Sequence, residues 1–140
     1  MRRSHILASI AAVALALSSA CGGIGGGPKK VVVNETVCLN AGFLRLDTGK
    51  TQRIVVDNSA YSQGQTQFTL RLENFPVVVK GEVPPNSTIG SPFSTITLIA
   101  KPGEEKHVDI VPTQTGRYNA TCGVIVGSRT TVLDLRFQIF

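Results

Sequence analysis

Apolar and polar positions alternate with a period of two through much of the chain from Val31 onward. Phe68, Leu70 and Leu72 fall on one side of such a run, with Thr69 and Arg71 on the other. Val108, Ile110 and Pro112 alternate with His107, Asp109 and Val111. Leu133, Leu135 and Phe137 alternate with Val132, Asp134 and Arg136, while Ile96, Leu98 and Ala100 alternate less cleanly with Thr97 and Ile99. One buried and one solvated face per run is the signature of strands covered on one side. The pattern predicts strands at Val31–Val37, Phe43–Asp47, Gln52–Asp57, Gln67–Glu73, Val77–Lys80, Thr95–Ala100, Lys106–Val111, Arg117–Cys122 and Thr131–Ile139. No segment of this region carries the 3.6-residue period of a long amphipathic helix.

Turn residues punctuate these runs. Asp47-Thr48-Gly49-Lys50, Asp57-Asn58-Ser59, Lys101-Pro102-Gly103-Glu104 and Thr113-Gln114-Thr115-Gly116 each place Gly, Pro, Asn or Asp between strands. Gly81–Phe93 is rich in Pro, Gly and Ser and reads as the long loop. Short strands at this spacing predict an all-β, Greek-key β-sandwich spanning residues 31–140.

The first thirty residues follow another logic. Arg2 and Arg3 precede an apolar run from Ile6 to Leu17, and the small residues Ser18, Ser19 and Ala20 lead to Cys21. This is the layout of a signal peptide over residues 1–20, and the run is short of the roughly 20 apolar residues of a membrane-spanning helix. Gly22 to Lys30 is dominated by glycine and reads, with Cys21, as a flexible tether over residues 21–30. Lys29 and Lys30 can reach anionic headgroups. The string Leu17-Ser18-Ser19-Ala20-Cys21 resembles the lipobox of bacterial lipoproteins, with the Leu one position further from the Cys than is common. The resemblance implies that Cys21 becomes the lipidated, palmitate-type acylated first residue of an exported protein on the extracytoplasmic face of the cell membrane. An ordinary cleaved signal peptide with a nearby Cys is the plainer alternative.

Removal of the leader takes Arg2 and Arg3 from the 14 Lys and Arg that face 9 Asp and Glu, so part of the basic balance belongs to the leader. No basic cluster is interleaved with aromatics, and nucleic acid is not an expected partner. The chain has three cysteines. If Cys21 is acylated, Cys38 and Cys122 remain in a disulfide-permissive compartment, either as a pair or with Cys122 as a metal ligand.

Three segments, in order, resemble the cupredoxins, the family of plastocyanin and azurin. Leu46 to Asn58 is similar to that family's strand, Gly-Lys turn and Asn-ended strand. Ala100-Lys101-Pro102-Gly103-Glu104 and the strand to Pro112 are similar to its Pro-Gly-Glu turn and strand. Thr115-Gly116-Arg117-Tyr118-Asn119-Ala120-Thr121-Cys122 is similar to its Gly-x-Tyr approach to the copper loop, with the Tyr118 ring expected in the core. The alternative architecture is an immunoglobulin-like sandwich acting in adhesion.

The resemblance implies a copper site of two His, a Cys thiolate and an axial Met. In this chain Thr66 or Gln67 stands where the first His belongs, and Gly123–Arg129 supplies neither His nor Met. Only Cys122 of the four is present. Beyond the leader the chain has one His, His107, and no Met. His107 reads as a surface residue beside Lys106 and Asp109. The expectation is therefore no bound metal, no cofactor and a Cys38–Cys122 disulfide. The competing reading is electron transfer through Cys122 with copper ligands from a partner.

No nucleophile–base pattern, phosphate-binding glycine loop or second histidine points to an enzyme. Glu104, Glu105 and Asp109 read as a solvated edge. The Asn-x-Ser/Thr strings at Asn34, Asn86 and Asn119 matter only in a glycosylating pathway. The expected function is a membrane-tethered, non-catalytic binding or accessory module with an envelope protein partner. Gly81–Phe93 and the loop after Cys122 are its expected contact regions. Val124, Ile125 and Val126 read either as core or as part of a contact patch.

Overall fold

A computed structural model describes residues 27–39, 43–60 and 66–140. The signal segment, Cys21 and most of the glycine-rich tether lie outside the described residues.

Among the described residues, nine strands and one short helix follow each other: β1 (Lys29–Val33), α1 (Glu35–Leu39), β2 (Phe43–Leu46), β3 (Gln52–Asp57), β4 (Thr66–Phe75), β5 (Val77–Lys80), β6 (Ser94–Ala100), β7 (Glu105–Pro112), β8 (Gly116–Val126) and β9 (Arg129–Ile139). They form two facing sheets, ordered β1-β3-β7-β5 and β2-β9-β8-β4-β6. Both sheets are mixed, because β1 runs parallel to β3 and β2 runs parallel to β9. A sandwich of two purely antiparallel sheets is the constant-type immunoglobulin arrangement, and the parallel edge pair in each sheet departs from it. The result is an all-β sandwich of two facing sheets, the fold class that the spacing of short strands predicted.

The alternating runs become the two inner faces. Phe68, Leu70, Leu72, Ile96, Leu98, Val108, Ile110, Leu135 and Phe137 are all buried in one core. A one-residue bulge lies between Leu72 and Phe75 of β4, where Asn74 takes a φ of 50°. Without that extra residue the odd spacing would put either Leu72 or Phe75 in solvent. Phe75 instead packs edge-on against Phe137, with ring centroids 5.4 Å apart.

Four boundaries depart from the sequence expectation. The sheet begins at Lys29, so the two lysines assigned to the tether are paired with Gln52 and Arg53 of β3. Lys30 also reaches Glu105 at 3.4 Å. The strand expected at Val31–Val37 stops at Val33, because Asn34 caps a helix: its Oδ1 accepts from the Val37 amide at 3.0 Å and its carbonyl from the Cys38 amide at 2.9 Å. A local side-chain bond outweighs the β preference of Thr36 and Val37.

The remaining two departures concern the region after Cys122. No loop follows it, since β8 continues to Val126 and β9 starts at Arg129, paired directly with Val126. The β-branched run Val124-Ile125-Val126 extends the strand, and Gly127, at a φ of 59°, opens a two-residue turn. Val124 packs against the core while Val126 is exposed.

Candidate functional site

Cys122 sits in the middle of β8, buried, opposite Leu70 of β4 and Leu133 of β9. The cap at Asn34 starts α1 so that Cys38 is its buried residue. The two cysteines form a disulfide with Cα atoms 5.9 Å apart, closing a sequence separation of 84 residues. The sulfur that the cupredoxin resemblance would assign to copper is thus bonded to carbon and sulfur, with no thiolate to offer.

The neighbouring positions do not compensate. Gln67 pairs with Ile125 and Thr66 with Val126, both beyond Cys122 along β8. Gly123, Val124, Ile125 and Val126 carry no donor side chains. Among the described residues no group of three or more His, Cys, Asp or Glu side chains is placed to hold a metal ion. A copper ion of the cupredoxin type does not fit these residues.

His107 lies on the solvent side of β7, as its alternation with Val108 and Ile110 predicted. It lines a groove of about 450 Å³ together with Lys80, Glu82, Asn86, Ile99 and Asp109. The groove marks an incomplete sheet edge. β5 pairs with β7 only from Val77 opposite Pro112 to Lys80 opposite Asp109. The Thr113 amide donates to Pro76 at 2.7 Å, so odd-numbered β7 residues point their main chain toward β5. Pro112 and Glu104 accept from Gly49 and Asn58 at 2.8 and 2.9 Å, so even-numbered ones point toward β3 and the turn before it. Past Lys80, the N–H and C=O of Glu105 and His107 face the groove with no strand of the described residues beside them. Gly81–Phe93 is the loop that the sequence predicted, and its first part forms a groove wall.

The three carboxylates singled out in the sequence do not converge. Asp109 is held by Arg53 directly across the β3–β7 pair, with Nε to Oδ1 at 2.8 Å and the second bond at 2.9 Å. That forked hydrogen bond holds the Asp109 carboxyl below the usual carboxylate range and the Arg53 guanidinium above its usual value. Glu104 caps its own turn through the Lys101 amide at 3.0 Å, and Glu105 faces Lys30. Asp57 is likewise lowered, through hydrogen bonds from the Ser59 hydroxyl and amide.

A second cluster went unnoticed in the sequence. Phe43, Arg45, Arg117, Arg136 and Phe140 meet on the outer face of the β2-β9-β8 edge. The Arg45 guanidinium lies 4.2 Å from the Phe140 ring centre, and Arg117 and Arg136 lie 5.6 and 5.9 Å from that of Phe43. The signal was present as parity, since Phe43, Arg45, Arg117 and Arg136 occupy solvent-facing positions of their strands and Phe140 directly follows β9. The parallel pairing that joins β2 to β9 was not.

No protein-family model matches the chain, and no curated protein matches it. Solved structures that resemble it include auracyanin B and amebosin. Auracyanin B superposes with a TM-score of 0.49 at 14% identity, over 84% of this chain and 93% of its own. Amebosin superposes with a TM-score of 0.38 at 15% identity, over 81% of this chain and 100% of its own.

Proposed function

We propose that this chain is an exported lipoprotein, held at the extracytoplasmic face of the cell membrane by acylated Cys21. Its cupredoxin-like domain works as a copper-free, non-catalytic binding module for an envelope protein. The observation that carries the copper-free reading is the Cys38–Cys122 bond, which occupies both cysteine sulfurs of the domain. What supports the anchor is the sequence from Arg2 to Cys21 with the glycine-rich segment behind it.

The binding role rests on the groove. An unpaired strand edge is a template for an added strand, in which main-chain hydrogen bonds give affinity and flanking side chains give selectivity. Glu105 and His107 supply that edge, and the 81–86 segment walls it. The test is a pull-down from detergent-solubilised membranes with the anchored protein. His107→Pro removes an N–H that faces the groove and leaves the β3–β7 bonds of the even-numbered residues in place. The captured partner is lost from His107→Pro. Equal capture by both proteins refutes the groove as the binding site.

A further inference from the structure

We infer that the outer face of the β2-β9-β8 edge is a docking surface for an anionic phospholipid bilayer. The inference rests on the tethered reading above, and it goes further by stating which face of the domain meets the membrane.

Two observations carry it. The first is the chemistry of the face. Phe43 and Phe140 are 49% and 53% exposed, large apolar side chains left in solvent on a sheet whose other face buries Leu46, Leu135 and Phe137 in the core. Three guanidinium groups surround them. Arg136 stands opposite Phe43 on β2 and Asn119 on β8, and Gln138 stands between Arg45 and Arg117. Arg117 donates from Nε to the Gln138 Oε1 at 3.0 Å, a neutral partner that leaves its charge uncompensated. Arg45 shares Asp47 at 3.4 Å, and Asp134 is exposed two residues before Arg136. Arginines stacked on exposed aromatic rings suit the boundary of a charged bilayer, where the rings enter the acyl margin and the guanidinium groups hold phosphates.

The second observation is where the chain leaves the domain. Lys29, the first residue of β1, has its Nζ 3.9 Å from Asp47, the carboxylate that also holds Arg45. The tether therefore departs beside this face, not from the opposite end of the sandwich. Eight residue steps separate Cys21 from Lys29, a reach of about 29 Å at full extension. An acylated Cys21 keeps the Arg45–Phe140 end of the face within that distance of the bilayer, and Lys29 adds a further positive charge at the same edge.

The test uses the full chain, which contains no tryptophan. Single variants Phe43→Trp, Phe140→Trp and Val78→Trp are each reconstituted with vesicles of phosphatidylcholine alone or mixed with phosphatidylglycerol. Val78 is exposed on β5 of the other sheet and serves as the control. With brominated lipid in the anionic vesicles, tryptophan at 43 and 140 is quenched and tryptophan at 78 is not. Added salt relieves the quenching. Arg117→Ser combined with Arg136→Ser lowers the docked-to-undocked ratio about tenfold or more. Quenching equal at 43 and 78, or absent at both 43 and 140 on anionic vesicles, overturns the inference. The two readings separate cleanly. A chain that sediments with uncharged vesicles but shows no quenching at 43 or 140 on anionic ones keeps its anchor and loses this docking face. A chain that sediments only with anionic vesicles, with quenching at 43, keeps the docking face and loses the anchor.

Discussion

Asn58, at the end of β3, donates from Nδ2 to the carbonyl of Ala100 at 3.1 Å. Its amide donates to Glu104 at 2.9 Å and its carbonyl accepts from Gly103 at 3.0 Å. Asn58 is fully buried. Two of the sequence segments that resemble cupredoxins, the Asn-ended strand and the Pro-Gly-Glu turn, are therefore two halves of one contact. The turn is fixed by a side chain more than forty positions upstream in the chain.

Replacing Asn58 by Leu keeps the bulk and leaves the Ala100 carbonyl without that donor. The expected loss is about 1–3 kcal/mol, read from urea unfolding midpoints at constant slope. An unchanged midpoint would show that the turn holds itself.

Gly116 and Tyr118 form a second local lock. Gly116 has a φ of 143°, and a Cβ there would lie 3.2 Å from the Tyr118 ring. Gly116→Ala is expected to cost at least about 1 kcal/mol. Tyr118→Phe removes only an exposed hydroxyl bond to Thr115 at 3.3 Å, and changes stability by less than about 1 kcal/mol. Thermal melts of the two variants check the contrast. Equal effects would contradict the steric account.

The Arg53–Asp109 pair gives the fold a pH dependence of definite sign. The folded state lowers the Asp109 pKa, so the unfolded chain takes up the proton first as the pH falls. The pair's contribution is complete above the ordinary carboxylate value of about 4 and is lost as the pH falls through the lower folded value. Asp109→Asn is therefore less stable than the parent at neutral pH, and the gap closes on acidification below that value. Urea midpoints at several pH values decide it. A gap that stays constant into acid contradicts the ion-pair origin.

How much of this was legible in the sequence follows from what each signal encodes. Alternation placed the inner residues of β4, β7 and β9, and less cleanly those of β6, because burial on one face imposes period two regardless of neighbours. It misplaced the end of β1, where the Asn34 side chain decides the backbone, since a cap uses one residue and leaves no periodicity. It misread residues 123–129 as a loop, because the copper-loop resemblance was carried past Cys122 onto a β-branched run that continues the strand. The groove at His107 depends on β5 stopping at Lys80 while β7 runs on to Glu105. The lengths were visible in the sequence, but the pairing of those two strands was not. The Arg and Phe face required the β2–β9 parallel pair, a contact between residues more than ninety positions apart.

The Cys38–Cys122 disulfide is a covalent long-range restraint on the sandwich. Removing it as Cys38→Ala with Cys122→Ala frees a loop of 84 residues' separation, and the expected loss is about 4 kcal/mol in the chain-entropy model. Reductant added to the parent should lower its melting temperature toward that of the double variant and leave the variant itself unmoved. A reductant effect on the variant would show that the bond is not the cause.

The central proposal is that a sandwich whose sequence resembles the cupredoxins holds no copper, because Cys122 is bonded to Cys38. Its most direct test is a titration of the oxidised mature chain with Cu(II), followed by visible absorption, beside Cys122→Ser. The account predicts no thiolate-to-copper charge-transfer band from the parent, and no free thiol at Cys38 or Cys122 when the parent is denatured without reductant. An intense visible band from the parent that disappears in Cys122→Ser would contradict it.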